Sequence, residues 1–159
     1  MPPRTSQFDP YRKFKFRIKI NNVMVAGLTK CSALTVSVES KEFRTGEMDG
    51  FKHKLPGLVT FEPVTLEQGV TDDKTFEAWA TSMANYLGNQ GADAQKTPDD
   101  FRKDIDIEIY NLNNEKVKAY RVLNCWVSKY TAVPDLDAMS ADVMIQSIVL
   151  ENEGIKVMQ

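Results

Sequence analysis

The sequence is short of the residues from which most catalytic and metal sites are built. It has one histidine, His53, and two cysteines far apart, Cys31 and Cys125. A zinc site needs several such ligands at set spacing, and a nucleophile–base–orienter triad needs a histidine held beside a partner; neither can be assembled from this set. Gly-x-Gly-x-x-Gly and P-loop patterns are absent, which removes the usual phosphate cradles. No basic surplus exists, since the net charge is −2, so nothing favours specific nucleic-acid recognition. No run approaches the about 18–20 apolar residues needed to cross a bilayer. The opening Met1-Pro2-Pro3-Arg4-Thr5-Ser6-Gln7 has no apolar signal-peptide core, which predicts folding in the cytoplasm. Two thiols in 159 residues make no disulfide framework, so both are expected as buried free thiols. Asp72-Asp73 and Asp99-Asp100 lack calcium-loop spacing and read as a helix cap and a solvated loop. No cofactor, metal ligand set or catalytic residue is expected.

What is present is alternation. Lys13 to Ile20 places Phe14, Phe16, Ile18 and Ile20 on one face and Lys13, Lys15, Arg17 and Lys19 on the other, a half-buried strand. Asn21-Asn22 makes a hairpin turn, and Val23 to Ala26 returns. Leu34, Val36 and Val38 alternate with Thr35, Ser37 and Glu39. Residues 40–54 form a charged, glycine-punctuated excursion, too polar for core and too long for a tight turn. Pro56-Gly57 is expected to turn, and Val59, Phe61, Val64 and Leu66 to form a strand interrupted at Pro63 and ended by Gly69.

The only helical pattern follows. Thr71, Asp72 or Asp73 can cap it, Phe76, Trp79, Ala80, Met83 and Leu87 form one stripe, and Gly88 stops it. Thr75, Glu77, Thr81, Ser82 and Asn85 lie mostly away from that stripe. After a loop over 89–100, Ile105, Ile107 and Ile109 alternate with Asp104, Asp106 and Glu108. Asn113-Asn114 turns the chain into Val117 to Val127, with Trp126 as a large anchor near Tyr130. The last strand, Val143 to Glu151, is apolar on both faces and is expected to be covered on both. About seven strands and one helix predict one mainly β domain over 1–159, two packed antiparallel sheets in a sandwich or barrel-like arrangement with a flanking helix. Its core would contain Phe14, Phe16, Ile18, Phe61, Phe76, Trp79, Met83 and Trp126. The basic face (Lys13, Lys15, Arg17, Lys19) and the acidic face (Asp104, Asp106, Glu108) can form a ladder within one subunit or meet between copies.

Several segments in collinear order carry a resemblance. Asp9-Pro10-Tyr11-Arg12-Lys13-Phe14-Lys15-Phe16-Arg17, Lys54-Leu55-Pro56-Gly57-Leu58-Val59, Leu66-Glu67-Gln68-Gly69-Val70-Thr71, the helix with Trp79, Asn124-Cys125-Trp126-Val127-Ser128-Lys129-Tyr130 and Ile148-Val149-Leu150-Glu151-Asn152-Glu153-Gly154 together resemble the tail-tube proteins of contractile phages and phage-derived contractile injection systems. The type VI secretion tube protein has a similar fold. The resemblance implies a non-enzymatic protomer of hexameric rings stacked into a hollow tube. Its implied partners are other copies, a contractile sheath, baseplate and spike proteins, and an effector or DNA cargo. It also implies a place in a phage-tail-like particle or virion, outside the cell after release. By position, it implies inter-subunit contacts for an arm over 1–10 with Asp9, Pro10 and Tyr11. The 40–54 loop would add Phe43, Arg44, Glu47, Met48, Phe51, Lys52, His53 and Lys54. Two alternatives are a baseplate-proximal tube initiator and, from another class, a monomeric β-barrel that binds a small apolar ligand.

Overall fold

The computed structural model describes residues 15–25, 27–44, 46, 50, 52–70, 74–88, 101–139 and 141–158. The expectations for Asp9, Pro10, Tyr11, Lys13, Phe14, Glu47, Met48 and Phe51, for the cap at 71–73 and for the loop over 89–100 lie outside these residues. The described chain forms ten strands and one helix. They are β1 (Phe16–Ile20), β2 (Val23–Val25), β3 (Leu28–Cys31), β4 (Val36–Phe43), β5 (His53–Phe61), β6 (Val64–Gly69), α1 (Lys74–Leu87), β7 (Lys103–Tyr110), β8 (Lys116–Thr131), β9 (Ile145–Glu151) and β10 (Gly154–Val157).

Asparagine makes the tight turns. Between β1 and β2, Asn21 and Asn22 adopt φ of 48° and 66°, the left-handed pair that a two-residue hairpin needs. Between β7 and β8, the Asn111 side-chain oxygen accepts the backbone N–H groups of Asn113 and Glu115, and Asn114 adopts φ 63°. This short polar side chain substitutes for a backbone turn acceptor.

Eight strands form one antiparallel sheet in the order β2-β1-β7-β8-β9-β6-β3, with β10 also paired to β8. β8 is 16 residues long and belongs to two halves of this sheet. Its first part pairs with β7, and its second part, from Trp126, pairs with β9. At the junction Asn124 has φ 51°, and the β7–β8 register shifts between Lys103 and Ile105. The strand therefore bulges there, and the two halves fold toward each other. Ile18, Ile20, Ile105, Ile107 and Val122 from one half join Val64, Leu66, Val127, Ile148 and Leu150 from the other in one core. The result is the expected mainly β, two-layer fold; the end strands β2 and β3 are not paired to each other, so the described sheet is not a closed barrel.

The helix is pinned by its first two turns. Phe76, Trp79 and Ala80 are buried, and the Trp79 indole N–H donates to the Phe101 carbonyl at 2.9 Å. The expected stripe fails at its far end. Met83 is half-buried, and Leu87 is 76% exposed. Ser82, expected on the wet face, is buried with its hydroxyl donating to the Trp79 carbonyl at 2.8 Å. That local bond satisfies the hydroxyl without water.

Other expectations are corrected too. Pro56 and Gly57 lie inside β5 rather than in a turn. Among the described strands β5 pairs with β4 alone, and such an edge strand tolerates a proline that cannot donate. Residues 40–43 and 53–54 are strand, so much of the expected excursion is a hairpin ribbon. Trp126 is half-buried, because the bulge at Asn124 reverses the inward phase and turns Cys125 and Val127 to the core instead. Phe16 and Phe61 are likewise half-buried, Phe16 against the core and Phe61 at the root of the ribbon. Val143, 77% exposed, precedes β9, and that strand buries one face only: Gln146, Ile148 and Leu150.

Candidate assembly surfaces

The β4–β5 ribbon pairs with no other described strand, and every residue of β4 is exposed. Its register sets Val36 opposite Phe61 and Val38 opposite Val59, so these four share one face. Val36, Val38, Leu55, Leu58 and Val59 are each about half to three-quarters exposed, at 49%, 53%, 52%, 73% and 55%. An isolated two-stranded hairpin is marginal in water, and clustered exposed apolar side chains mark interaction surfaces. This ribbon has the composition of a strand pair built to be covered.

The Glu62 N–H closes the base of the ribbon by donating to the Thr35 carbonyl at 3.1 Å, and the Asn152 amide, beyond β9, ties that base to the sheet by donating to the Glu62 carbonyl at 3.0 Å. Midway, the register shifts between Val38 and Ser40, and Gly57 fits closely against the bulge. A Cβ at Gly57 would lie 3.1 Å from both the Glu39 Cβ and its carbonyl oxygen. Gly57→Val should therefore disturb the ribbon while changing subunit unfolding free energy by less than about 0.5 kcal/mol, because the ribbon is outside the core. Urea denaturation of the monomer checks this, and a loss well above 1 kcal/mol would count against it.

Toward the far end of the ribbon, most charged side chains among the described residues are basic. Glu42, Arg44, Gly50, Lys52 and Lys54 line a shallow basin of about 420 Å³, in which Lys52 pairs with Glu42 at 3.4 Å. Beside it, Phe43 stacks on His53 with centroids 5.4 Å apart. The residues Phe43, Arg44, Lys52, His53 and Lys54 thus gather in one exposed segment.

Among the described residues the two charged strand faces meet within the chain. β1 and β7 are neighbours, with Arg17 opposite Glu108 and Lys19 opposite Asp106. Lys19 Nζ lies 3.0 Å from Glu108 Oε1, and the Tyr110 hydroxyl donates to Glu108 Oε2 at 2.5 Å. Arg121 grips Asp106 through two bonds of 2.7 and 2.9 Å. Arg17 lies over the Tyr110 ring, 4.5 Å from its centroid, and Asp104 accepts the Asn124 N–H at 3.0 Å. Lys15 donates to the Asn114 side chain. The Tyr110 hydroxyl, aided by Lys19, holds the Glu108 carboxyl below its ordinary range, and Arg121 does the same for Asp106. Glu108 is buried beneath these partners, although alternation alone places it on the wet side.

Residues 12–156 match the family of the T4-like virus tail tube protein gp19. The chain belongs to that tail tube family. Among curated proteins none matches it. A chain in the sheath–tube complex of the extracellular contractile injection system PVC, in its extended state, is 25% identical, with TM-score 0.73 and 97% of each chain covered. A chain in the anti-feeding prophage baseplate is 18% identical, with TM-score 0.75 over 94% of this chain and 96% of that one. Hcp1 from Flavobacterium johnsoniae is 13% identical, with TM-score 0.57 over 89% and 93%. The last two likenesses are likenesses of fold.

Among the described residues of the tail tube protein no cluster of three or more His, Cys, Asp or Glu could hold a metal ion, and no helix is long and apolar enough to cross a membrane. Both thiols are free, Cys125 buried as expected but Cys31 only half-buried; desolvation pushes Cys31 up to about 11 and Cys125 up to about 12. Thiols shifted that far are protonated and unreactive at neutral pH. A buried polar chain runs from Tyr130 to Gln146 to Gln68, each bond 3.0 Å. Val36, Val38, Leu55, Leu58 and Val59 of β4 and β5, and Leu136, Met139 and Val143 of the segment before β9, were not among the expected contacts. Their signal was the apolar content of polar-flanked segments, which sequence alone does not separate from core.

Proposed function

We propose that this tail tube protein is the repeating subunit of the inner tube of a contractile injection machine. Six copies form a ring, rings stack into a hollow rigid tube, and sheath contraction drives that tube through a target envelope. An effector protein or DNA passes along the axis. The subunit performs no chemistry of its own; it works beside a sheath protein and baseplate and spike proteins, inside a particle assembled in the cell that makes it and released from it. Phe43, Arg44, Lys52, His53 and Lys54 contact neighbouring copies in this reading.

The observation that carries it is the β4–β5 ribbon: a rooted strand pair with an apolar face uncovered in the single chain. The family match and the likeness to a chain of a sheath–tube complex support it. Head-to-tail contacts that close generate rings, and the same subunit stacked on itself generates a filament. Negative-stain electron microscopy of the purified protein, with and without its sheath protein, is the test. The expected result is six-fold rings or tubes. A species that stays at 18.0 kDa at every concentration, and that sheath protein does not assemble, would overturn the reading.

A further inference from the structure

β9 and β10 run along one edge of β8 as a single antiparallel line, with Glu151 opposite Trp126 and Gly154 opposite Leu123. The line breaks at Asn152 and Glu153, level with the bulge at Asn124 where the two halves of the sheet fold toward each other. Glu153 is fastened to that corner. Its N–H donates to the Leu123 carbonyl at 3.0 Å, its carboxylate accepts the Asn124 side-chain amide at 2.9 Å, and Arg102 pairs with it. Asn152 reaches instead to the base of the β4–β5 ribbon, 90 residues away in sequence, and its amide donates to the Glu62 carbonyl at 3.0 Å.

That base is a narrow joint. Ser32 and Thr65 are bonded twice, at 2.9 and 2.8 Å, and belong to the body of the sheet. The ribbon begins at the bond from Glu62 N–H to Thr35, so only Ala33 and Leu34 on one side and Pro63 on the other separate the two. Leu34 packs against the core, and Pro63 confines Glu62 to extended backbone, which aims the Glu62 carbonyl. A few residues at the end of an element are enough to let it swing, and the tie from Asn152 removes that freedom. The tie has a cost. Facing a carbonyl, Asn152 must present its NH2, and its Oδ1 is enclosed with no donor among the described residues. An acceptor left unpaired in this way works against the fold. Asn152 is held there for what it grips.

We propose that Asn152 is the positioning residue of the ribbon. Anchored through Glu153 to the corner of the sheet, it fixes the direction in which β4 and β5 leave the body of the subunit. The consequence for assembly rests on the tube reading: subunits are competent to join only while the ribbon points that way. Loss of the tie leaves each contact as it was but lowers the competent fraction, and apparent affinity falls by that fraction.

Spin labels report the direction of the ribbon. Lys41→Cys on β4 and Asn113→Cys in the turn after β7 place them at exposed positions, in a Cys31→Ala background, with Cys125 left buried. Pulsed dipolar distance measurement, at concentrations too low for assembly, should give one narrow distribution when Asn152 is present. Asn152→Asp keeps the size but cannot donate, and Asn152→Ala removes the tie outright; each should make the distribution about twice as wide. Glu153→Gln weakens the anchor and should widen it less. By sedimentation velocity both Asn152 variants should need about tenfold more protein to assemble, with urea midpoints unchanged. A distribution as narrow as the wild type's in both variants would overturn the assignment. So would a fall in urea midpoint with the distribution unmoved, the mark of a merely structural contact. A widened distribution with an unchanged threshold would overturn the link to assembly. A wild-type protein that never assembles would overturn the tube reading, while the distances still decide the role of Asn152.

Discussion

Phe76→Ala should lower the unfolding free energy of the monomeric subunit by about 3–5 kcal/mol, whereas Leu87→Ala should change it by less than about 0.5 kcal/mol. Both residues lie on the stripe that defines the helix in sequence. Phe76 is fully buried among Trp79, Val127, Leu66 and the other core side chains, while Leu87 is 76% exposed at the helix end. Truncating Phe76 removes transferred apolar surface and also leaves a cavity, because the strands around it are fixed by their ladders and cannot close in. Truncating Leu87 removes surface that water already touches, and alanine is at least as good a helix former. Urea unfolding, read at concentrations too low for assembly, separates the two. Equal losses would mean that the helix packs along its whole length, contrary to the exposure of its last turn.

That contrast shows what the sequence could and could not reveal. Strands β1 and β7 were legible because each has one dry face and one wet face, which imposes a period of two on the residues. The helix was legible from the first part of its stripe, and the turns at Asn21-Asn22 and Asn113-Asn114 because asparagine accepts left-handed backbone. Trp126 was misplaced since its side chain depends on the phase of β8, and a single bulge at Asn124 reverses that phase. β3 and β10, four residues each, exist by pairing with β6 and β8, distant in sequence. The ribbon has strand-like alternation, but its apolar residues are exposed among the described residues, so alternation alone does not place them. The expected contact residues Phe43, Arg44, Lys52, His53 and Lys54 do fall on that ribbon. The exposed apolar side chains before β9, Leu136, Met139 and Val143, emerge only once the structure shows that they lie outside the core.

The charged face of β1 and β7 makes the subunit sensitive to acid, and the sign follows from its hydrogen bonds. Glu108 is held below its ordinary range first by the Tyr110 hydroxyl and then by Lys19, and Asp106 by Arg121. A carboxyl whose folded value is depressed binds fewer protons in the native state than in the unfolded one. Its contribution is complete above the unfolded carboxylate range, near about 4.3 for glutamate, and is lost as pH falls through the lower folded value. Unfolding free energy should therefore decline on titrating from about pH 6 to about pH 3, with part of the slope belonging to these two groups. Glu108→Gln should flatten that decline, because the neutral amide takes up no proton, although its single oxygen keeps only one of the two acceptor positions used by Tyr110 and Lys19. Glu108→Ala should in addition cost about 1–2 kcal/mol at neutral pH, since Tyr110 and Lys19 lose their shared acceptor. The figure stays at the low end because the Lys19 side chain is 31% exposed and water can replace part of what it loses. Urea denaturation across this pH range decides the matter. If Glu108→Gln follows the wild-type curve throughout, the carboxylate is not the group that senses acid, and the ladder between β1 and β7 contributes alignment without pH-dependent stability.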